Sequence, residues 1–182
     1  MENIPESGSF VMASNHVSYL DPLAIGAFVS RDLNFITKKE LFKNRIFGWY
    51  FKKLRMIPVD RKGFAYAGMK KVIQMIKKGC PIAVFPEGTR SNGRVFLKPE
   101  LGVGYFALKF NLPVLPVYVK GTEKALPLDA SFITPHPVRV YYGKPKKYHV
   151  PPESSGERAY EEISYKVMDE IKELKDKYGA QG

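Results

Sequence analysis

A chain of 182 residues with 45% hydrophobic content and one cysteine excludes a disordered segment, a disulfide-stapled mini-domain and a zinc-ligand cluster. At this length about 70% of the surface exposed by the unfolded chain is buried on folding, so one domain can be held by its own core. Lys and Arg number 29 against 18 Asp and Glu; the resulting charge of +11 points to an anionic partner without choosing among nucleic acid, phospholipid and a polyphosphate cofactor.

In chain order, Ser9 to Ser14 reads as a short buried strand and Asp21-Pro22 as a helix start, with Asp21 as N-cap and Pro22 at the first helical position. That helix carries Leu23, Ile25, Ala27 and Phe28, and Asn34 to Thr37 is a second strand. Glu40 to Leu54 is predicted as a helix bearing Phe42, Ile46, Phe47, Trp49, Tyr50 and Phe51, while Met56 to Val59 is extended, with Pro58 suited to an edge. Ala65, Met69, Val72, Ile73 and Ile76 recur at helical spacing, predicting an amphipathic helix near Phe64 to Lys78 that Gly79 ends. Pro81 to Phe85 is a fully buried strand, Leu101 to Phe110 a helix, Val114 to Val119 a strand, and Val138 to Tyr142 a late strand. Gly121 to Pro137 reads as a loop, and Glu157 to Tyr178 as a charged helix with Ile163, Val167, Ile171 and Leu174 on one face. Alternating strands and helices predict a single α/β domain, 1–182, with a largely parallel sheet, or a mixed one, flanked by helices.

The N-terminus lacks the basic start and apolar run of a secretion signal, and a lone cysteine suits a reducing compartment. Leu101 to Val119 is apolar apart from Lys109, but Asn111, Pro113 and Pro116 split it into a helical half and a β-rich half. The expectation is a chain that spans no membrane.

Of the three histidines, His136 and His149 sit beside prolines in loops. His16 follows a strand directly, where parallel sheets place ligands. Asp21 lies five residues on, which on a continuous helix is about 140° around the axis; only a turn between them lets the carboxylate reach back to the imidazole. Such a carboxylate fixes the ring tautomer and leaves the other nitrogen to take a proton. Taken alone, the pair reads better as a helix cap beside an ordinary polar residue. The second constellation, Phe85-Pro86-Glu87-Gly88-Thr89-Arg90-Ser91-Asn92-Gly93, places a carboxylate, a guanidinium and glycine-exposed amides at another strand exit, chemistry that suits a phosphate. By itself it too reads as a polar turn.

Gly102-Val103-Gly104-Tyr105-Phe106-Ala107 matches a dinucleotide fingerprint but follows no strand, so helix packing accounts for its glycines better. Cys80 precedes a strand entrance and reads as a small buried residue, not a nucleophile.

Together these residues resemble the glycerophospholipid acyltransferase family, over about Phe10 to Val119. His16 to Asp21 fits its His-x-x-x-x-Asp block, Met56 to Arg61 its second, Phe85 to Ser91 its third and Leu115-Pro116-Val117 its fourth. The resemblance implies His16 as general base, Asp21 as its orienting partner, and Arg61, Glu87, Gly88, Thr89 and Arg90 as the set that binds the acceptor, with Lys38 and Lys98 as further participants. It implies direct transfer of a fatty acyl group from a thioester of coenzyme A or acyl carrier protein to lysophosphatidate, with no metal and no bound cofactor. Glycerol 3-phosphate and other lysolipids satisfy the same logic. Backbone amides near Gly88 or Val117 are candidate oxyanion donors. Arg55 stands where the family's second block often carries Gly.

Between Lys38 and Lys62 nine basic residues face two acidic ones, interleaved with the rings of the predicted helix Glu40 to Leu54. Such a helix suits an anionic membrane surface, with Lys43, Arg45, Lys52 and Lys53 on headgroups; its rings can equally form core. The cytoplasmic face of the cell membrane is the location implied, peripherally or through an anchoring segment outside this chain. A basic nucleic-acid-binding module and a thioesterase are the rival classes, and the family resemblance implies no nucleic-acid partner.

Overall fold

The computed structural model describes residues 2–43, 51, 54–59, 66–130, 132–150 and 155–180. Among the described residues six strands form one sheet: β1 (Val11–Ser14), β2 (Asn34–Lys38), β3 (Ile57–Val59), β4 (Ile82–Val84), β5 (Val114–Lys120) and β6 (Arg139–Tyr142). The helices are α1 (Asp21–Gly26), α2 (Tyr66–Lys77), α3 (Gly102–Lys109), α4 (Thr122–Ala125) and α5 (Gly156–Tyr178), with a 3-10 turn at Lys39–Lys43. The α/β expectation holds. Of the helix expected over Glu40 to Leu54, the described residues are Glu40 to Lys43, in the 3-10 turn, Phe51, which is helical and buried in the core, and Leu54; Arg45, Ile46, Phe47, Trp49, Tyr50, Lys52 and Lys53 lie outside the described residues, as do Arg61 and Ala65. The connection Gly121 to Pro137 corrects the expectation of a plain loop, because it opens with α4.

Strand order is β3-β2-β4-β1-β5-β6, with every neighbouring pair parallel except β5 and β6. Pro58 sits on the edge strand β3, where its missing N–H costs no central ladder bond. Pro116 lies in an inner strand, yet its carbonyl accepts from Gly143 N–H on the β6 side. Its nitrogen points the same way, to the end of the antiparallel ladder, so the ladder to β1 is intact.

Alternation along the strands divides the core between two faces. Val11, Ala13, Ile82, Val84 and Val114 pack on α2, α3 and α5 through Val72, Ile76, Phe106, Ile163, Val167 and Ile171. Phe10, Met12, Phe35, Ala83, Leu115 and Val117 face the other way, over Ile25 of α1. The stripe expected on the last helix is confirmed at Ile163, Val167 and Ile171, all fully buried.

Of the glycines in the false dinucleotide fingerprint, Gly104 has the packing role: a Cβ there would collide with the Tyr160 carbonyl of α5, while one at Gly102 would meet open space. Gly104→Ala is therefore expected to lower unfolding free energy by about 1–3 kcal/mol, read as a lower urea midpoint at unchanged slope. Cys80 is half-buried, short of the full burial expected.

Candidate active site

Because β4 and β5 flank β1, the loops leaving the C-terminal ends of these three strands lie side by side. His16 emerges after β1, residues 85–91 after β4, and Thr122 after β5. Asn15 continues the β1–β5 pairing past the end of the strand: its amide donates to Val119 O at 2.9 Å and accepts from Val119 N–H at 2.8 Å. That pins the chain just before His16.

The turn from His16 to Asp21 brings the pair together. His16 Nδ1 is 2.7 Å from Asp21 Oδ2, which also accepts the N–H groups of Val17 and Ser18 at 2.7 and 2.8 Å. Asp21 is the first residue of α1 and not its N-cap, a correction to the sequence expectation; Leu20 occupies that position, and among the described residues no side chain caps the helix. The carboxylate is turned back into the loop instead. Thr122 Oγ1 donates to its other oxygen at 2.6 Å. A fully buried carboxylate thus meets four donors, and as an acceptor it fixes Nδ1 as the protonated ring nitrogen. Nε2 is left as the proton acceptor of a side chain that keeps 16% exposure. The imidazole stacks on Phe85, ring centroids 3.9 Å apart and planes 16° from parallel, which fixes the ring plane.

Phe85, Pro86, Glu87 and Gly88 form a turn closed by Gly88 N–H on Phe85 O at 2.9 Å. It directs Glu87 inward, where the residue is 3% exposed. One carboxylate oxygen accepts His16 N–H at 3.1 Å and the other accepts Leu97 N–H at 2.9 Å. Ser91 N–H donates to His16 O at 2.8 Å, so the β4 loop grips the His16 backbone at both ends. Burial raises the Glu87 carboxyl above its ordinary value of 4.5, against the opposing pull of the Leu97 and His16 N–H groups. A carboxyl whose proton is held more tightly in the folded state than in the unfolded one contributes stability that fades as pH rises through its folded value. The stability of the native protein relative to Glu87→Gln should accordingly fall as pH is raised through the interval just above 4.5, then level off. Urea titrations of both proteins across that range, showing no such slope, would contradict the assignment.

A cavity of about 340 Å³ opens beside these loops. His16, Tyr19, Lys38, Gly88, Thr89 and Arg90 line its polar part; Ile36, Val59, Met69, Val84, Val103 and Phe106 line an apolar part that lies between the sheet, α2 and α3. The Arg90 guanidinium carbon lies over the Tyr19 ring, 3.6 Å from its centroid, at the polar end of the cavity. His16 and Arg90, 74 residues apart, therefore share one pocket.

Two residues expected on the acceptor lie off the cavity wall. Glu87 is committed to backbone N–H groups, and Lys98 pairs with Glu161 of α5 at 3.0 Å. Of the candidate oxyanion donors, the Gly88 N–H closes its turn and Val117 lies inside β5, paired with Ser14 and Tyr142. His136 and His149 lie in loops, as expected, and are exposed. Sequence reasoning missed Tyr19, the Phe85 stack and Thr122. Tyr19 carried a signal, lying inside the His16–Asp21 block; Thr122 is 101 residues from its partner and carried none.

The chain is similar to solved and curated proteins. The crystal structure of the 1-acyl-sn-glycerophosphate (LPA) acyltransferase PlsC of Thermotoga maritima superposes with a TM-score of 0.70 at 32% identity, over 96% of this chain and 69% of that one. The 1-acyl-sn-glycerol-3-phosphate acyltransferase of Bacillus subtilis is 32% identical over 121 residues, 66% of this chain and 60% of the relative. The chloroplastic enzyme BAT2 of Brassica napus is 32% identical over 149 residues, 80% of this chain and 43% of the relative. The chain thus spans roughly half the length of these curated relatives. The family profile described as acyltransferase matches residues 1–120, the stretch that supplies every residue lining the cavity, and the chain belongs to the acyltransferase family.

Proposed function

We propose that the protein transfers a fatty acyl group from an acyl thioester to the free hydroxyl of lysophosphatidate, forming phosphatidate. The observation that carries this reading is the shared cavity: an imidazole and a guanidinium at its polar end, and an apolar part lined by aliphatic and aromatic side chains that suits hydrocarbon. Arg90 binds the acceptor phosphate, with Arg61 and Lys38 assisting, and Thr89 and the Gly88 backbone complete that wall. Fixing the phosphate places the hydroxyl at His16 Nε2. A glycerol hydroxyl is a poor nucleophile near neutral pH, so Nε2 removes its proton as the oxygen attacks the thioester carbonyl. The carbon–sulfur bond then breaks, and the imidazolium returns the proton to the departing thiolate. Asp21 stabilises the imidazolium while it exists. The acyl chain occupies the apolar part against Met69, Val103 and Phe106.

The donor is a thioester of coenzyme A or acyl carrier protein, and the acceptor is delivered from an anionic membrane surface on the cytoplasmic face. Among the described residues no helix is long and apolar enough to cross a membrane. A radiolabelled acyl-thioester assay across lysophosphatidate, glycerol 3-phosphate and uncharged lysolipids tests the reading. Thiol release should depend on acceptor and be fastest with lysophosphatidate. Release at one rate with or without acceptor would make the protein a thioesterase.

A further inference from the structure

We propose that Thr122 is a positioning residue for the His16–Asp21 pair, acting through the carboxylate and touching no substrate; this rests on the acyl-transfer reading above. Three facts carry it. Thr122 is fully buried, its hydroxyl donates to Asp21 Oδ1 at 2.6 Å, and among the described residues no other hydrogen bond reaches that oxygen. The other oxygen already serves three donors. A buried carboxylate oxygen stripped of its donor carries its full desolvation penalty, so the group would rotate toward other partners and lose its hold on the ring.

The segment around Thr122 is built to deliver that hydroxyl. Gly121 turns the chain at φ 93° directly after β5, and a Cβ there would collide with the Pro137 carbonyl. Glu123 receives the Gly121 N–H at 2.7 Å, locking the turn. Ser18 Oγ donates to Leu126 O at 2.9 Å, tying the far end of α4 to the His16–Asp21 loop. With Asn15 held by Val119, this one segment grips the loop at three points. Branching at Cβ stiffens the Thr122 side chain, so its hydroxyl is aimed before substrate arrives. As the first residue of a four-residue helix, Thr122 sends its hydroxyl out to Asp21.

Thr122→Val removes the donor and keeps the shape; Thr122→Ser keeps the donor. Thr122→Val should lower kcat about 10- to 100-fold, the scale of one hydrogen bond to a charged group. The acceptor KM should stay within about twofold, because no contact to acceptor is lost. Thr122→Ser should retain most of the kcat. A second readout needs no substrate: the 15N shifts of the His16 ring in the free protein should show the Nδ1–H tautomer in the native protein and in Thr122→Ser, and a mixture in Thr122→Val. If the native protein turns over no thioester, the acyl-transfer reading fails while the ring shifts still decide the role of Thr122. Should Thr122→Val not fold, Thr122→Ala is read the same way. Native kcat and native ring shifts in a folded variant lacking the hydroxyl overturn the proposal, as does equal damage in Thr122→Ser.

Discussion

His16→Ala should reduce acyl transfer about 10²- to 10⁴-fold in kcat while leaving the melting curve close to native, since the ring sits at a cavity wall and general-base catalysis is worth about that much. Asp21→Asn should cost a similar factor by a different route. Its amide can present one acceptor where the carboxylate presents two, so some of the donors now held by Asp21 would face an NH₂ group. The ring then loses the partner that fixes its tautomer. Because both residues act as one unit, the double variant should be little worse than the poorer single one. Additive losses in steady-state kinetics would show that His16 and Asp21 act separately.

Arg90→Ala should chiefly raise the acceptor KM, by about 10- to 100-fold, the worth of a charge-assisted hydrogen-bonded contact to phosphate. The thioester KM should hardly move. Arg90→Lys should rescue little, because the guanidinium sits over the Tyr19 ring at 3.6 Å and a planar fork can present two N–H groups to phosphate, which a point-like ammonium cannot reproduce. An unchanged acceptor KM with a depressed kcat would remove Arg90 from the phosphate.

Local periodicity made the elements legible. Val72 and Ile76, or Ile163, Val167 and Ile171, recur at the spacing that buries one helix face, and the structure buries them. The strand exits bearing His16 and Arg90 were legible for the same reason, as apolar runs ending in polar residues. Their juxtaposition was not. It depends on β4 lying against β1, an order that no local pattern encodes, and on β5 closing the other side. Glu87 shows a second limit: composition marks a carboxylate beside a guanidinium, but the turn through Pro86 decides that it points inward to backbone N–H groups and away from the cavity. Asp21 shows the reverse, since a residue type that favours helix N-caps is used here to hold an imidazole. Thr122 depends wholly on tertiary structure, one hydroxyl brought across 101 residues.

The most direct test is a crystal structure of the protein with a non-acylatable lysophosphatidate analogue in which the free hydroxyl is retained and the donor is omitted. The account predicts the phosphate on the Arg90 N–H edge and the hydroxyl oxygen within about 3.2 Å of His16 Nε2. A phosphate bound away from Arg90, or a hydroxyl facing any wall other than the imidazole, would contradict it.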